Sequence, residues 1–148
     1  VPFYGQGTNC GLEDVMILCD IISENAVNIQ EAATRFNSQR PKSTDAISRM
    51  SLRNLKNLEV ERDFEEYVIL RNLDLALEKR YPNCNTEYFM VAFSSIPYDV
   101  ALEISRIREK VLTDYVKSFS RTGLVDFPGE LLDEVYVKLG FALNSYKQ

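Results

Sequence analysis

The chain has 148 residues, enough for one domain that buries roughly 70% of the surface its unfolded form exposes. Lys and Arg total 17 against 22 Asp and Glu, a net charge of −5, which disfavours a free-standing nucleic-acid binder. Histidine is absent, which excludes His-based triads and His-containing metal sites, and no apolar run approaches the ~20 residues of a membrane-spanning helix.

Residues 1–9, Val-Pro-Phe-Tyr-Gly-Gln-Gly-Thr-Asn, read as a loop, with two glycines and a proline. A first helix is expected from about Cys10, capped by Asn9 or Thr8, with Glu13 and Asp14 in its first turn. Leu12, Val15, Met16, Leu18, Cys19 and Ile22 recur at helical spacing and form one broad apolar face. Asn25 suits the exit. A second helix is expected from about Ile29 to Gln39, with Ile29, Ala32, Ala33 and Phe36 inward and Pro41 as the break.

Ser43 or Thr44 caps a third helix, with no Gly or Pro between Thr44 and Tyr81. Its apolar positions run from Ile47, Met50, Leu52, Leu55, Leu58 and Val60 to Phe64, Tyr67, Val68, Leu70, Leu73, Leu75 and Leu77. Tyr88 to Phe93 is short and apolar, ambiguous by period between strand and buried helix. One short segment makes no sheet, so helix or extended loop is favoured. Helical spacing returns from about Tyr98 to Ser120, with Gly123 as its stop. Pro128 opens a last helix with Leu131, Leu132, Val135, Tyr136 and Leu139 inward. The fold class is mainly α, an assembly of about five or six helices with no repeat.

Cys10, Cys19 and Cys84 are widely spaced with no Cys-x-x-Cys, which suits a reducing compartment and small buried side chains. Val1 stands where an initiator Met would, and no signal peptide is seen, so the chain is expected to begin inside a larger protein. The first fourteen residues hold the most chemistry. A glycine-flanked loop feeding a helix N-terminus offers unpaired backbone N–H groups to an anion or a partly negative oxygen. The same string also reads as an ordinary loop before an ordinary helix, and spacing alone leaves both open.

The string Pro2-Phe3-Tyr4-Gly5-Gln6-Gly7-Thr8-Asn9-Cys10-Gly11-Leu12-Glu13-Asp14 resembles the late flavin-contacting segment of the aromatic-ring hydroxylase flavoproteins. Within them it is most similar to the kynurenine-hydroxylating branch. Ala46-Ile47 with Ser51-Leu52-Arg53-Asn54 resembles a second motif of that branch. Tyr81-Pro82-Asn83 with Tyr88-Phe89-Met90-Val91-Ala92-Phe93-Ser94 resembles a third, and Pro97-Tyr98 follows. Together these cover roughly residues 1–110.

The resemblance implies a monooxygenase using FAD, NADPH and dioxygen, in which a flavin C4a-hydroperoxide hydroxylates L-kynurenine to 3-hydroxykynurenine. It implies that Gly5, Gln6, Gly7, Thr8 and Asn9 lie along the flavin. Pro2 and Phe3 would pack on the substrate ring, Gln6 would lie near its carbonyl, and Asn54 and Tyr88 would reach its amino-acid end. Residues 1–28 would be the flavin-facing loop and helix of the FAD-binding domain, and 29–148 the C-terminal helical region covering the substrate. Arg53 is expected in a structural ion pair.

Departures accompany the match. The dinucleotide-binding Gly-x-Gly-x-x-Gly, the later Gly-Asp motif, and the Arg and Tyr that grip the substrate carboxylate are not in these residues. Asn57, Leu58 and Thr8 replace frequent Glu, Met and Met. The sequence after Leu139 is too short and polar for the membrane-anchoring tail of many relatives. The family places such proteins inside the cell, in the cytoplasm or at the mitochondrial outer membrane. The expectation is therefore a C-terminal part that is inactive without its N-terminal FAD-binding portion. The alternative is a non-catalytic helical interaction module derived from such an enzyme. A trihelical DNA-binding unit over residues 12–60 fits loosely and is disfavoured by the acidic balance.

Overall fold

The computed structural model describes residues 4–24, 28–59, 64–119 and 127–146. Six helices make up the fold: α1 (Gly7–Ser23), α2 (Ile29–Glu59), α3 (Phe64–Arg80), α4 (Glu87–Phe93), α5 (Tyr98–Phe119) and α6 (Gly129–Tyr146). No strand occurs among the described residues. The architecture is a mainly α assembly, as composition and period lead one to expect.

Helix α5 is the hub. It packs against α2, α3, α4 and α6. Its N-terminal half supplies Tyr98, Ala101 and Leu102 to one apolar core, shared with Ala46, Ile47 and Met50 of α2 and Met90 and Val91 of α4. Its C-terminal half supplies Val111, Leu112, Tyr115 and Val116 to a second core with Leu73 and Leu77 of α3 and Leu132, Val135 and Leu139 of α6. A fully buried Leu contributes about 1.5–3 kcal/mol relative to exposure. Between the two cores the buried face of α5 turns polar, at Ser105 and Arg108.

Three elements differ from the expectations. Helix α1 starts at Gly7, with Gln6 at the cap position and no side-chain cap bond, so Gly7, Thr8 and Asn9 are helical and neither Thr8 nor Asn9 caps. Helix α2 continues through Pro41. A proline inside a helix costs about 3 kcal/mol. Here both flanks are anchored, by Ala32 and Arg40 before it and by Ala46, Ile47 and Met50 after it.

The run from Thr44 to Tyr81 is carried by two helices, α2 ending at Glu59 and α3 beginning at Phe64. The ambiguous Tyr88–Phe93 segment is helix α4, started by Thr86, whose side chain accepts from the Phe89 N–H at 3.3 Å. Tyr98 to Phe119 and the helix after Pro128 form as expected, while Asn25 and Gly123 lie outside the described residues.

The inward faces also need correction. On α1 only Ile21 is buried, while Leu12, Val15, Met16 and Ile22 are 59%, 60%, 65% and 44% exposed. On α2, Ile29 is 75% exposed and Ala33 is exposed, leaving Ala32 as the buried contact. Leu52, Leu75 and Tyr136 also face outward. Of the cysteines, Cys84 is buried and Cys10 half-buried, but Cys19 is exposed. Among the described residues no helix is long and apolar enough to cross a membrane, and no group of three or more Cys, Asp or Glu side chains is placed to hold a metal ion.

Candidate functional site

Two hollows flank the N-terminal turn. The larger, about 250 Å3, is walled by Tyr4, by Arg53 and Asn54 of α2, by Tyr67, Leu70, Arg71 and Asp74 of α3, by Glu87 and Tyr88 of α4 and by Ser105, Arg108, Glu109 and Leu112 of α5. Asn54 and Tyr88, 34 positions apart in sequence, thus meet on one cavity. The cavity exists because α5 carries polar residues where its two apolar cores separate. The smaller hollow, about 230 Å3, is lined by Gln6, Gly7, Cys10, Gly11 and Asp14 against Thr44, Ile47, Ser48 and Ser51 of α2.

Tyr4 connects the N-terminal motif to the helices. Its hydroxyl donates to Glu87 Oε1, and its ring stacks on Tyr88 at 6.2 Å between centroids with 27° between planes. Burial pushes the Tyr4 phenol up, opposed by the positive charges of Arg53 and Arg71, so it keeps its proton and donates at neutral pH. Glu87 in turn accepts from Arg53 Nη2, and Arg53 Nη1 reaches Glu109 Oε2 at 3.0 Å. Arg53 is therefore in an ion pair, as expected, and this pair braces α2, α4 and α5 around Asn54 and Tyr88. Tyr88 also meets Phe93 edge-on, and Phe93 is 68% exposed.

Immediately after Tyr4 the chain turns at Gly5, with φ +67°, a conformation side chains resist. A Cβ added at Gly5 or Gly7 would meet nothing within 4 Å, so the backbone there is open on that side. Cys10 N–H bonds Gln6 carbonyl oxygen at 2.8 Å, the first turn of α1. The N–H groups of Gly7, Thr8 and Asn9 precede that bond and point out of the helix end, where the dipole is positive. Asn9 Nδ2 donates to Gln6 Oε1 at 2.6 Å, holding the two polar side chains together.

The residues expected in a site fall into two groups. Asn54 and Tyr88 share the larger cavity, whereas Gln6 and Gly7 line the smaller one, joined to it through Tyr4 and Gly5. Thr8 and Asn9 are exposed in the first turn of α1. Pro2 and Phe3 lie outside the described residues, as do the side chains of Asn57 and Leu58. Sequence reasoning missed Tyr4, although it stands inside the quoted motif. It also missed Ser105 and Arg108, where the signal was a Ser and an Arg three apart on the inward stripe of an otherwise apolar helix.

No protein-family model matches the chain. The relatives described here share one class, the monooxygenases. In particular, the chain is a homologue of kynurenine 3-monooxygenase over most of its length. That enzyme from Candida albicans is 36% identical over 116 residues, covering 77% of this chain and 25% of the relative. The Yarrowia lipolytica enzyme is 33% identical over 127 residues, 84% of this chain and 27% of the relative. The Debaryomyces hansenii enzyme is 31% identical over 144 residues, 94% and 30%. The chain thus spans under a third of the length of the curated relatives it matches.

Proposed function

We propose that this chain is the C-terminal part of an FAD- and NADPH-dependent monooxygenase that hydroxylates L-kynurenine to 3-hydroxykynurenine. In this reading it works only with the N-terminal FAD-binding portion, whether in the same or a separate chain. Residues 1–28 would complete the FAD-binding domain and 29–148 would cover the substrate. The observation that carries the reading is the meeting of Asn54 and Tyr88 on one cavity, tied by Tyr4 to the Gly5 turn.

The turn fits a flat, electron-rich ligand edge. The backbone is open at Gly5 and Gly7, and the helix end lacks a side-chain cap. Gly5, Gln6, Gly7, Thr8 and Asn9 would hold that edge of FAD, their N–H groups donating to its oxygen. Bound FAD, reduced by NADPH, supplies activated dioxygen for ring hydroxylation. The chain's own contribution is binding and orientation. The Asn54 carboxamide and the Tyr88 phenol would hold the polar amino-acid end of the substrate, with Pro2, Phe3 and Gln6 against its ring and carbonyl. The exposed apolar face of α1 and the exposed Tyr88, Phe89 and Phe93 of α4 would be covered by the N-terminal portion, which keeps water from the reaction.

The test mixes this chain with the separately produced N-terminal portion of the Candida albicans relative. The expected result is kynurenine-dependent NADPH oxidation with 3-hydroxykynurenine formed, absent from either part alone. Asn54→Ala and Tyr88→Phe should raise KM roughly tenfold, the worth of a hydrogen bond to a charged group, with a smaller effect on kcat. Parts that associate without turnover would assign the non-catalytic module instead.

A further inference from the structure

Gly5, Asn54 and Tyr88 each have an immediate sequence neighbour in one hydrogen-bonded group. Those neighbours are Tyr4, Arg53 and Glu87, and Glu87 is where they meet. Its Oε1 accepts from the Tyr4 hydroxyl, and its Oε2 accepts from Arg53 Nη2. Each carboxylate oxygen thus serves a different segment, the N-terminal turn on one side and α2 on the other. The Glu87 side chain is 17% exposed, and Arg53 is fixed from its other nitrogen by Glu109 Oε2 at 3.0 Å.

This group is not what holds the helices together. An apolar core joins α2, α4 and α5, through Ala46, Ile47 and Met50 with Met90, Val91 and Leu102. Partly solvated ion pairs add little to such a core. What the core leaves unfixed is the rim of the cavity. Helix α4 has only seven residues, too few to stand without tertiary contacts. Tyr88 on it is 53% exposed, with its ring against Tyr4 and Phe93. The Gly5 turn reaches α4 through the Tyr4 ring and hydroxyl. Charge-assisted bonds at both oxygens of one carboxylate set the turn, α2 and α4 to a common register.

We propose that Glu87 is a positioning residue: it registers the Gly5 turn against Asn54 and Tyr88, and so sets the substrate ring at a fixed place along the flavin edge. This role rests on the enzymatic reading of the chain. Both Glu87 oxygens are occupied, so the residue acts through its neighbours and not on a ligand. A reacting group misplaced by about 1 Å can cost roughly a hundredfold in rate. With the ring out of place, NADPH, H+ and O2 yield NADP+ and H2O2 instead of hydroxylated product and water.

Two measurements test it. In the chain alone, Glu87→Gln has one acceptor oxygen instead of two. It should weaken the ring-to-ring NOEs between Tyr4 and Tyr88 severalfold and shift the Asn54 side-chain amide in NMR. The methyl signals of Met50 and Met90 in the core should stay at their parent positions. In the mixture with the N-terminal portion of the Candida albicans relative, Glu87→Gln should lower kcat for hydroxylation roughly tenfold. It should raise the H2O2 formed per NADPH severalfold and leave KM within about threefold of the parent. That is the reverse of the pattern expected of Asn54→Ala and Tyr88→Phe. Tyr4→Phe, which cuts the arm to the turn and keeps the ring stack, should reproduce the rise in H2O2. Parent NOEs in Glu87→Gln, or lost NOEs with parent kcat and parent H2O2, overturn the positioning role alone. A parent mixture that binds without turnover overturns the enzymatic reading and this role with it.

Discussion

A phenol buried beside a carboxylate holds its proton harder than one in water. Tyr98 is pushed up to about 12, first by burial and then by the negative charge of Glu13, to which its hydroxyl donates at 3.3 Å. Tyr115 is also pushed up to about 12, by burial and then by its bond to Glu134 at 2.8 Å. Unfolding returns both to the ordinary value of 10.0, so the unfolded chain releases these protons first. Their contribution is whole below pH 10 and is lost as pH climbs from 10 through about 12. Urea midpoints should therefore fall above pH 10, and the double variant Tyr98→Phe, Tyr115→Phe should flatten the fall. An unchanged slope would contradict this. At this scale the sequence was only partly legible: Asn54 and Tyr88 were recognisable by motif, but Tyr4 acts through a hydroxyl whose partner, Glu87, is 83 residues away.

Among the elements, α1 shows how little apolar burial a helix needs when one buried ion holds it. Ile21 is its single buried residue. Arg40 of α2, buried, reaches Asp14 with Nε and Glu13 with Nη2 at 2.8 Å, and its Nη2 also donates to the Cys10 carbonyl oxygen at 3.2 Å. Arg40→Met should cost about 2 kcal/mol, toward the lower end for charged hydrogen bonds because the carboxylates are partly solvated. Hydrogen exchange should then open α1 ahead of the rest of the fold. Protection of α1 unchanged from the parent would refute the latch.

The same contact explains two misread elements. Pro41 follows a residue pinned by four hydrogen bonds to α1, so the helix is held across it, and a local rule yields to tertiary anchoring. The period of α1 correctly marked an apolar face, but period does not say what covers the face. Helix α4, in contrast, had its answer in the sequence: Thr86 as cap and Glu87 in the first turn.

On the scale of the whole molecule, helix content and order were legible because apolar residues recur at helical spacing along most of the chain. The joining of two apolar cores across a polar middle of α5 was not, since it depends on which helices meet there. That arrangement makes the cavity, and the cavity brings motif residues from α2 and α4 together. The apolar faces of α1 and α4 lie on the elements that follow and flank the Gly5 turn, and this places the expected partner surface beside the expected cofactor edge.

The most direct measurement is hydrogen exchange of the chain alone and mixed with the FAD-loaded N-terminal portion of the Candida albicans relative. The account predicts slowed exchange over residues 5–23 and 87–94, with α6 unchanged. Binding that leaves those two segments exchanging as before, or no binding between folded parts, would contradict it.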